Sequence, residues 1–268
     1  MSEMKDTTLK ITVLGARGSV PTDAFELREF GGATSCILVE SDTQAVFLDA
    51  GSGLIDTPKI EDKEITILIT HPHFDHLIGL PFFPYNNVAG RNINIYLAPR
   101  MGLSATEQID KLLSPPLWPC TFRDYPASIK VHDLTLPLTI GDITVTGMEG
   151  NHPGGCTVFK LTRDQVSLVY ATDYEDSAEK LPELIDFARE TDLLFYDAQY
   201  TQEEAVKNRG FGHSTLQTGL QIMEKGNIRN IRFVHHDPRH TDTMLYAMEA
   251  PVRNERVAFA RQWEVIHL

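Results

Sequence analysis

The sequence predicts an α/β fold (α+β in some schemes), with two stacked mixed β-sheets and helices on the outside. Three observations predict it. Short apolar runs rich in β-branched residues recur along the chain, at the roughly four to eight residues expected of buried strands. The early part is strand-rich, whereas the later part interleaves such runs with helical stretches, a pattern that suits helices packed outside sheets. Finally, 268 residues with 42% hydrophobic content suffice for one large core, so 1–268 reads as a single domain.

In chain order, strands are expected over 9–14, 35–40, 45–49, 65–69, 93–97, 143–148, 156–162, 166–171, 192–196 and 230–235. The run ending at Ile69 reads Glu-Ile-Thr-Ile-Leu-Ile, and those ending at Met148 and Ala171 read Ile-Thr-Val-Thr-Gly-Met and Val-Ser-Leu-Val-Tyr-Ala. Helices are expected over 103–113, 177–190, 214–225 and 241–249, the third capped by Ser214 or Thr215. No internal repeat, low-complexity tract or apolar span long enough to cross a bilayer is visible. The opening Met-Ser-Glu-Met-Lys-Asp-Thr-Thr is polar and lacks the apolar stretch of a signal peptide.

Residues 70–76 read Thr-His-Pro-His-Phe-Asp-His, directly after the run ending at Ile69. An extended chain projects alternate residues to one side, so His71, His73 and Asp75 converge, and His76 joins them if the chain turns immediately. Imidazole with carboxylate suits zinc, with manganese or iron as alternatives. A polar loop with solvated histidines would account for a single His-x-His pair, but not for this density of ligands. One strand exit cannot close such a site, because zinc takes about four ligands and a catalytic ion keeps one place for water. Further candidates stand where other apolar runs end: His152 in Asn-His-Pro-Gly-Gly, Asp173 in Thr-Asp, and His235 or His236 in His-His-Asp-Pro. Alone, His152 would read as a turn histidine and Asp173 as a helix cap; their shared position at strand ends favours a joint site.

The order His-x-His-x-Asp-His, His152, Asp173, His235, with Asp49 upstream in Phe-Leu-Asp-Ala-Gly, resembles the metallo-β-lactamase superfamily of binuclear metal hydrolases. The resemblance runs from Leu9 to about His240. It implies a four-layer αββα sandwich with the metal site at one edge, between the sheets. It also implies that His71, His73 and His152 bind one ion, that Asp75, His76 and His235 bind the other, and that Asp173 bridges them. Asp49 would orient a ligand histidine from behind. His236 competes with His235, since adjacent residues at a strand exit point opposite ways.

Gly212-His213-Ser214-Thr215 precedes an amphipathic run and resembles the His-Ser-Thr segment of the transfer-RNA 3′-processing endonuclease and its small phosphodiesterase relatives. The resemblance makes His213 a group that meets the phosphate or protonates the leaving oxygen, with Asp197 holding its imidazole. Against this stands a surface histidine at a helix start. The long flexible arm of the transfer-RNA endonucleases is not evident in the sequence.

With 37 acidic against 24 basic residues the net charge is −13, which disfavours long nucleic acid held by a basic footprint. A compact small-molecule phosphodiester stays compatible, since metal ions supply local positive charge. Cys36, Cys120 and Cys156 form no Cys-x-x-Cys pair, so neither a disulfide framework nor a cysteine zinc site is indicated. A reducing cytoplasm is the expected location; no membrane partner is indicated, and a homodimer is left open. Two stretches would border the site. Gly-Ala-Arg-Gly-Ser-Val-Pro after the first strand either brings Arg17 and backbone N–H groups toward an anion or is only a loop. The insertion Ser-Pro-Pro-Leu-Trp-Pro-Cys-Thr-Phe is either a packed loop or a wall on which Trp118 and Phe122 stack a base, and Ser214 is a further candidate substrate contact.

The expected activity is therefore a phosphodiesterase with two divalent ions, zinc first, acting on a small cyclic or nucleotide diester through a hydroxide held between the ions. His213 and Asp197 serve the leaving oxygen, and Asp75 is a ligand that also relays a proton. RNA 3′ processing, ester, thioester or lactone hydrolysis on the same fold, and a metal-stabilised binding module are the alternatives.

Overall fold

The computed structural model describes residues 9–268; the polar opening segment discussed above lies outside the described residues. The first sheet is built from β1 (Lys10–Gly15), β2 (Cys36–Glu40), β3 (Gln44–Leu48), β4 (Glu64–Ile69), β5 (Asn92–Leu97) and β6 (Ser128–Asp133). The second contains β7 (Leu138–Ile140), β8 (Ile143–Gly150), β9 (Cys156–Arg163), β10 (Val166–Ala171), β11 (Leu193–Asp197), β12 (Asn230–Val234) and β13 (Val257–Phe259). A last strand, β14 (Val265–His267), returns to the first sheet beside β1, so both sheets are seven-stranded.

Each sheet is half antiparallel and half parallel. In the first, β3, β4, β5 and β6 run parallel; in the second, β10, β11, β12 and β13 do. Strand β8 lies two antiparallel steps from β10 and so runs in the same direction. Loops leaving the carboxyl ends of these strands emerge at a common edge, the usual ligand position in sheets with parallel strands.

The layers follow from side-chain alternation. Along β3, Ala45 and Phe47 enter the core on the outer face of the first sheet, whereas Val46 and Leu48 enter the core between the sheets. Along β11, Leu193 and Phe195 face the same inter-sheet core, and Leu194 and Tyr196 pack outward. Strands buried on both faces read as continuous apolar runs, which is why they were visible in the sequence. The outer layers hold α1 (Ala105–Asp110) on the first sheet and α2 (Lys180–Phe187), α4 (Leu216–Lys225) and α5 (Asp242–Glu249) on the second; α3 (Gln202–Lys207) is a short helix without buried residues. The four-layer αββα sandwich is the observed architecture.

The expected elements shift by a few residues, and α1 and α2 are shorter than anticipated. Strands β6, β7, β13 and β14 and helix α3 were not anticipated. The strands lie at sheet edges, and three of them span only three residues. Helix α3 did carry a readable signal, the reciprocal capping box of Thr201 and Glu204.

Candidate active site

Six strand ends converge at the common edge. Strands β3, β4, β8, β10, β11 and β12 are followed or closed by Asp49, His71, His152, Asp173, Asp197 and His235. Asp49, Asp173 and His235 take left-handed backbone conformations, with φ of 63°, 54° and 61°. That geometry breaks the strand at once and turns each side chain into the edge. It costs about 1–3 kcal/mol per residue and is tolerated where surrounding contacts over-determine it. After β4 the chain runs extended through His73 and then tightens into a 3-10 turn, Phe74–His76, which brings His76 back beside His71.

The side chains fall into two groups around one carboxylate. His71, His73, His152 and Asp173 present ligand atoms within 4.8 Å of one another, as do Asp75, His76 and His235; Asp173, His213 and His235 meet the same limit. Asp173 faces both sets. Its Oδ2 lies 3.6 Å from His71 Nε2 and 3.7 Å from His152 Nε2, and its Oδ1 lies 3.2 Å from His76 Nε2 and 3.0 Å from His235 Nδ1. Asp75 Oδ2 is 3.3 Å from His76 Nε2 and 3.7 Å from His235 Nε2. His236 turns away, its Nε2 donating to Ala260 O and its ring packed on Phe30 and Phe259, so His235 is the member of the pair that faces the cluster.

The ring orientations are fixed from behind. Fully buried Asp49 accepts from His76 Nδ1 at 2.8 Å and from the Thr70 amide and hydroxyl, and Thr70 Oγ1 stands 3.0 Å from His71 Nδ1. One aspartate thus aims a histidine of each group. His152 Nδ1 donates to Gly212 O, and Ser35 Oγ sits 3.2 Å from His235 Nδ1. Glycine is required where rings approach backbone: a Cβ on Gly18 would stand 2.3 Å from the His235 ring, and one on Gly212 2.0 Å from His152 Nδ1. Thr70, Ser35 and the Gly212 carbonyl were not singled out from sequence, and only the proximity of Thr70 to His71 hinted at a role.

The electrostatics suit a cation. Burial holds the imidazoles of His71, His73 and His152 below their usual range, leaving lone pairs free. Burial also works against charge on Asp75 and Asp173, yet the neighbouring histidines His76 and His235 hold both well below the usual carboxylate range. His76 moves the opposite way: burial opposes its charge, but Asp75, Asp173 and Asp49 push it well up. Three carboxylates around one imidazole favour positive charge there, which a divalent cation meets better than a proton. The buried Nε2 of His71 has no hydrogen-bond partner, a cost of about 1–3 kcal/mol that disappears if it is a metal ligand. The donor set therefore fits metal ions.

A second device sits beside these groups. His213 Nδ1 donates to Asp197 Oδ2 at 2.8 Å, and Asp197 Oδ1 accepts the amides of Gln199 and Ser214. The His213 ring stacks on His235, centroids 4.8 Å apart, and meets Tyr200 edge-on. Burial disfavours its charge, but Asp197 outweighs this and, with Asp173 and Asp75 further off, lifts its pKa to about 9.

Three expected substrate contacts lie elsewhere. Arg17 is fully buried, and its guanidinium donates to the carbonyls of Gly31, Asp237 and His240; it locks the loop instead of reaching the edge. That loop still serves the site, because the Ser19 amide donates to Asp75 Oδ2. Ser214 is buried, accepting from Tyr196 Oη, and Thr215 rather than Ser214 caps α4. Trp118 packs edge-on against Phe82 over the first-sheet core, with Phe122 buried in that core, so this insertion is a packed loop. A cleft of about 620 Å³ does border the site, lined by His71, His73, Phe74, Met101, Lys111 and Leu112 among others. Among the described residues, no helix is long and apolar enough to cross a membrane.

A family model described as the beta-lactamase superfamily domain matches residues 46–236. The "Probable metallo-hydrolase YhfI" of Bacillus subtilis is 25% identical over 81% of this chain and 83% of its own length. Its crystal structure superposes with a TM-score of 0.74 at 21% identity, covering 98% of this chain and 100% of that one. The "Ribonuclease Z" of Clostridium tetani is 23% identical over 87% of this chain and 90% of its own. A diphosphatase of the PhnP family superposes with a TM-score of 0.69 at 16% identity, over 96% and 97% of the two chains. At such identities the structural likenesses speak for the fold.

Proposed function

The chain belongs to the beta-lactamase superfamily, and we propose that within it the protein is a phosphodiesterase holding two divalent ions, zinc first, that cleaves a small cyclic or nucleotide diester. The observation that carries this reading is the His213–Asp197 pair at 2.8 Å, which turns His213 Nδ1 to the carboxylate and lays the ring against His235. A hydrolase of activated esters has little need of a held acid; an alkoxide leaving a phosphodiester has much.

His71, His73 and His152 would hold one ion and Asp75, His76 and His235 the other, with the two oxygens of Asp173 shared between them. Ions so held supply a water of lowered pKa and positive charge against the phosphate oxygens. The chain's own contribution is the proton. Asp197 keeps His213 charged and fixes Nδ1, leaving Nε2 to donate to the departing oxygen. Asp75, whose Oδ2 accepts the Ser19 amide, would be the ligand that also relays a proton. The product is a phosphomonoester.

The test is a panel. Metal-loaded protein should hydrolyse a bis-aryl phosphate faster than a cephalosporin or a simple lactone, with close to two ions per chain by elemental analysis. Dominant lactone or thioester turnover would overturn the diesterase reading and leave the family untouched. RNA 3′ processing is the second reading, favoured by the ribonuclease Z relative, and a 3′-extended transfer RNA belongs in the same panel.

A further inference from the structure

A cleft of mixed apolar and basic lining opens beside His71 and His73. Its walls include Phe74, Met101, Leu103, Leu112 and the bare backbone of Gly154, which has open space where a Cβ would stand. Two large apolar side chains are left uncovered there, Phe74 at 50% exposure and Met101 at 88%. Met101 is not a loosely held surface residue. Reciprocal hydrogen bonds between Arg100 and Leu103, of 3.0 and 2.9 Å, close a two-residue turn in which Met101 and Gly102 both have positive φ, 50° and 76°. Asparagine or glycine suits such a turn, whereas methionine is strained in it. The buried Gln108 secures the turn, its Nε2 donating to the carbonyls of Ala98, Leu103 and Ser104. A strained backbone thus holds an apolar side chain out of the core and over the cleft.

Arg100 is engaged by Glu149 and Thr157, whereas Lys111, also in the lining, forms no ion pair among the described residues. The cleft borders ligands of the first group and neither His213 nor His235. Its lining thus leaves out the acid that serves the leaving oxygen, as a place for the other ester group requires. A volume of about 620 Å³ is in the range of small-molecule sites.

We propose that this cleft, lined by Phe74, Met101 and Lys111, is the subsite for the retained ester group of the diester, a flat aromatic group bearing a further negative charge. The proposal rests on the phosphodiesterase reading. Phe74 and Met101 sandwich the ring, the glycine backbone admits it close to His71 and His73, and Lys111 meets the added charge.

The experiment holds the leaving group constant and varies the retained group: methyl, phenyl and 4-carboxyphenyl esters of p-nitrophenyl phosphate, with metal-loaded protein. Wild type should favour phenyl over methyl by about ten- to a hundredfold in kcat/KM. Met101→Ser should shrink that ratio severalfold, and Lys111→Gln should remove the further preference for carboxyphenyl while keeping the phenyl-to-methyl ratio. Equal rates on phenyl and methyl esters in wild type, or variants that lower all three by one factor, would overturn the subsite. A second measurement separates the two readings. If no diester is turned over, calorimetry with phenylphosphonate and methylphosphonate decides: tighter phenyl binding that Met101→Ser abolishes upholds the cleft while the diesterase reading falls, and equal binding overturns the cleft.

Discussion

His213 and Asp197 are joined by a 2.8 Å hydrogen bond at the carboxyl end of β11, with the imidazole stacked on His235. Because the aspartate engages Nδ1, the opposite ring nitrogen is the one that can act on a substrate. His213→Ala should leave metal content nearly intact and lower kcat about 10²- to 10⁴-fold when the leaving group is an alkoxide. The loss should shrink with a nitrophenolate, which departs without a proton, and Asp197→Asn should follow the same trend in milder form. Equal loss on both substrates would assign His213 to positioning the phosphate instead.

Asp49 aims His76 directly and His71 through Thr70, so one substitution loosens a ligand of each group. Asp49→Asn keeps a side chain tolerant of φ 63° but replaces a carboxylate acceptor by an amide. Affinity at both metal positions should fall by about 10- to 100-fold. Competition with a chromogenic chelator measures this, and a loss confined to one position would show that Thr70 does not transmit the effect. Far-ultraviolet circular dichroism should be unchanged.

Metal uptake should depend on pH with a definite sign. In the metal-free protein the His76 pKa stands above its ordinary value, despite burial, because Asp75, Asp173 and Asp49 surround it. A group raised on folding stabilises the folded chain fully below its unfolded value, about 6.5, and that contribution is lost as pH climbs through the raised value. A cation must displace the same proton, so zinc affinity should rise with pH over this range and level off above it. Calorimetry in buffers of different ionisation enthalpy should detect proton release. Its absence near neutral pH would contradict the raised His76.

Arg17 bears on folding rather than on substrate. Replacing it by Met leaves carbonyls of Gly31, Asp237 and His240 without their donor in the interior. Chemical denaturation should show a loss of at least about 2 kcal/mol, with KM unaltered in the metal-loaded protein at low temperature. A raised KM at unchanged stability would restore the anion-binding role that the sequence suggested.

The sequence by itself determined what is local. Runs such as those of β3, β4 and β11 are buried on both faces, so their composition alone announces a strand. The histidines and aspartates at the strand ends were legible as one cluster because each stands at or just after the end of an apolar run. Tertiary structure decided what depends on residues far along the chain. Strand β14 exists because Val265–His267 pairs with β1 at the other end of the chain; three residues carry no such information themselves. Whether His235 or His236 faces the edge depends on a left-handed φ at His235 and on Ala260, Phe30 and Phe259, which receive the other ring. Arg17 and Trp118 have the chemistry of binding residues, but carbonyls brought from distant loops bury the one and Phe82 packs the other. A side chain's chemistry is set by its type, whereas its direction is set by whichever distant groups satisfy its polar atoms and cover its apolar surface, and these are assembled only on folding.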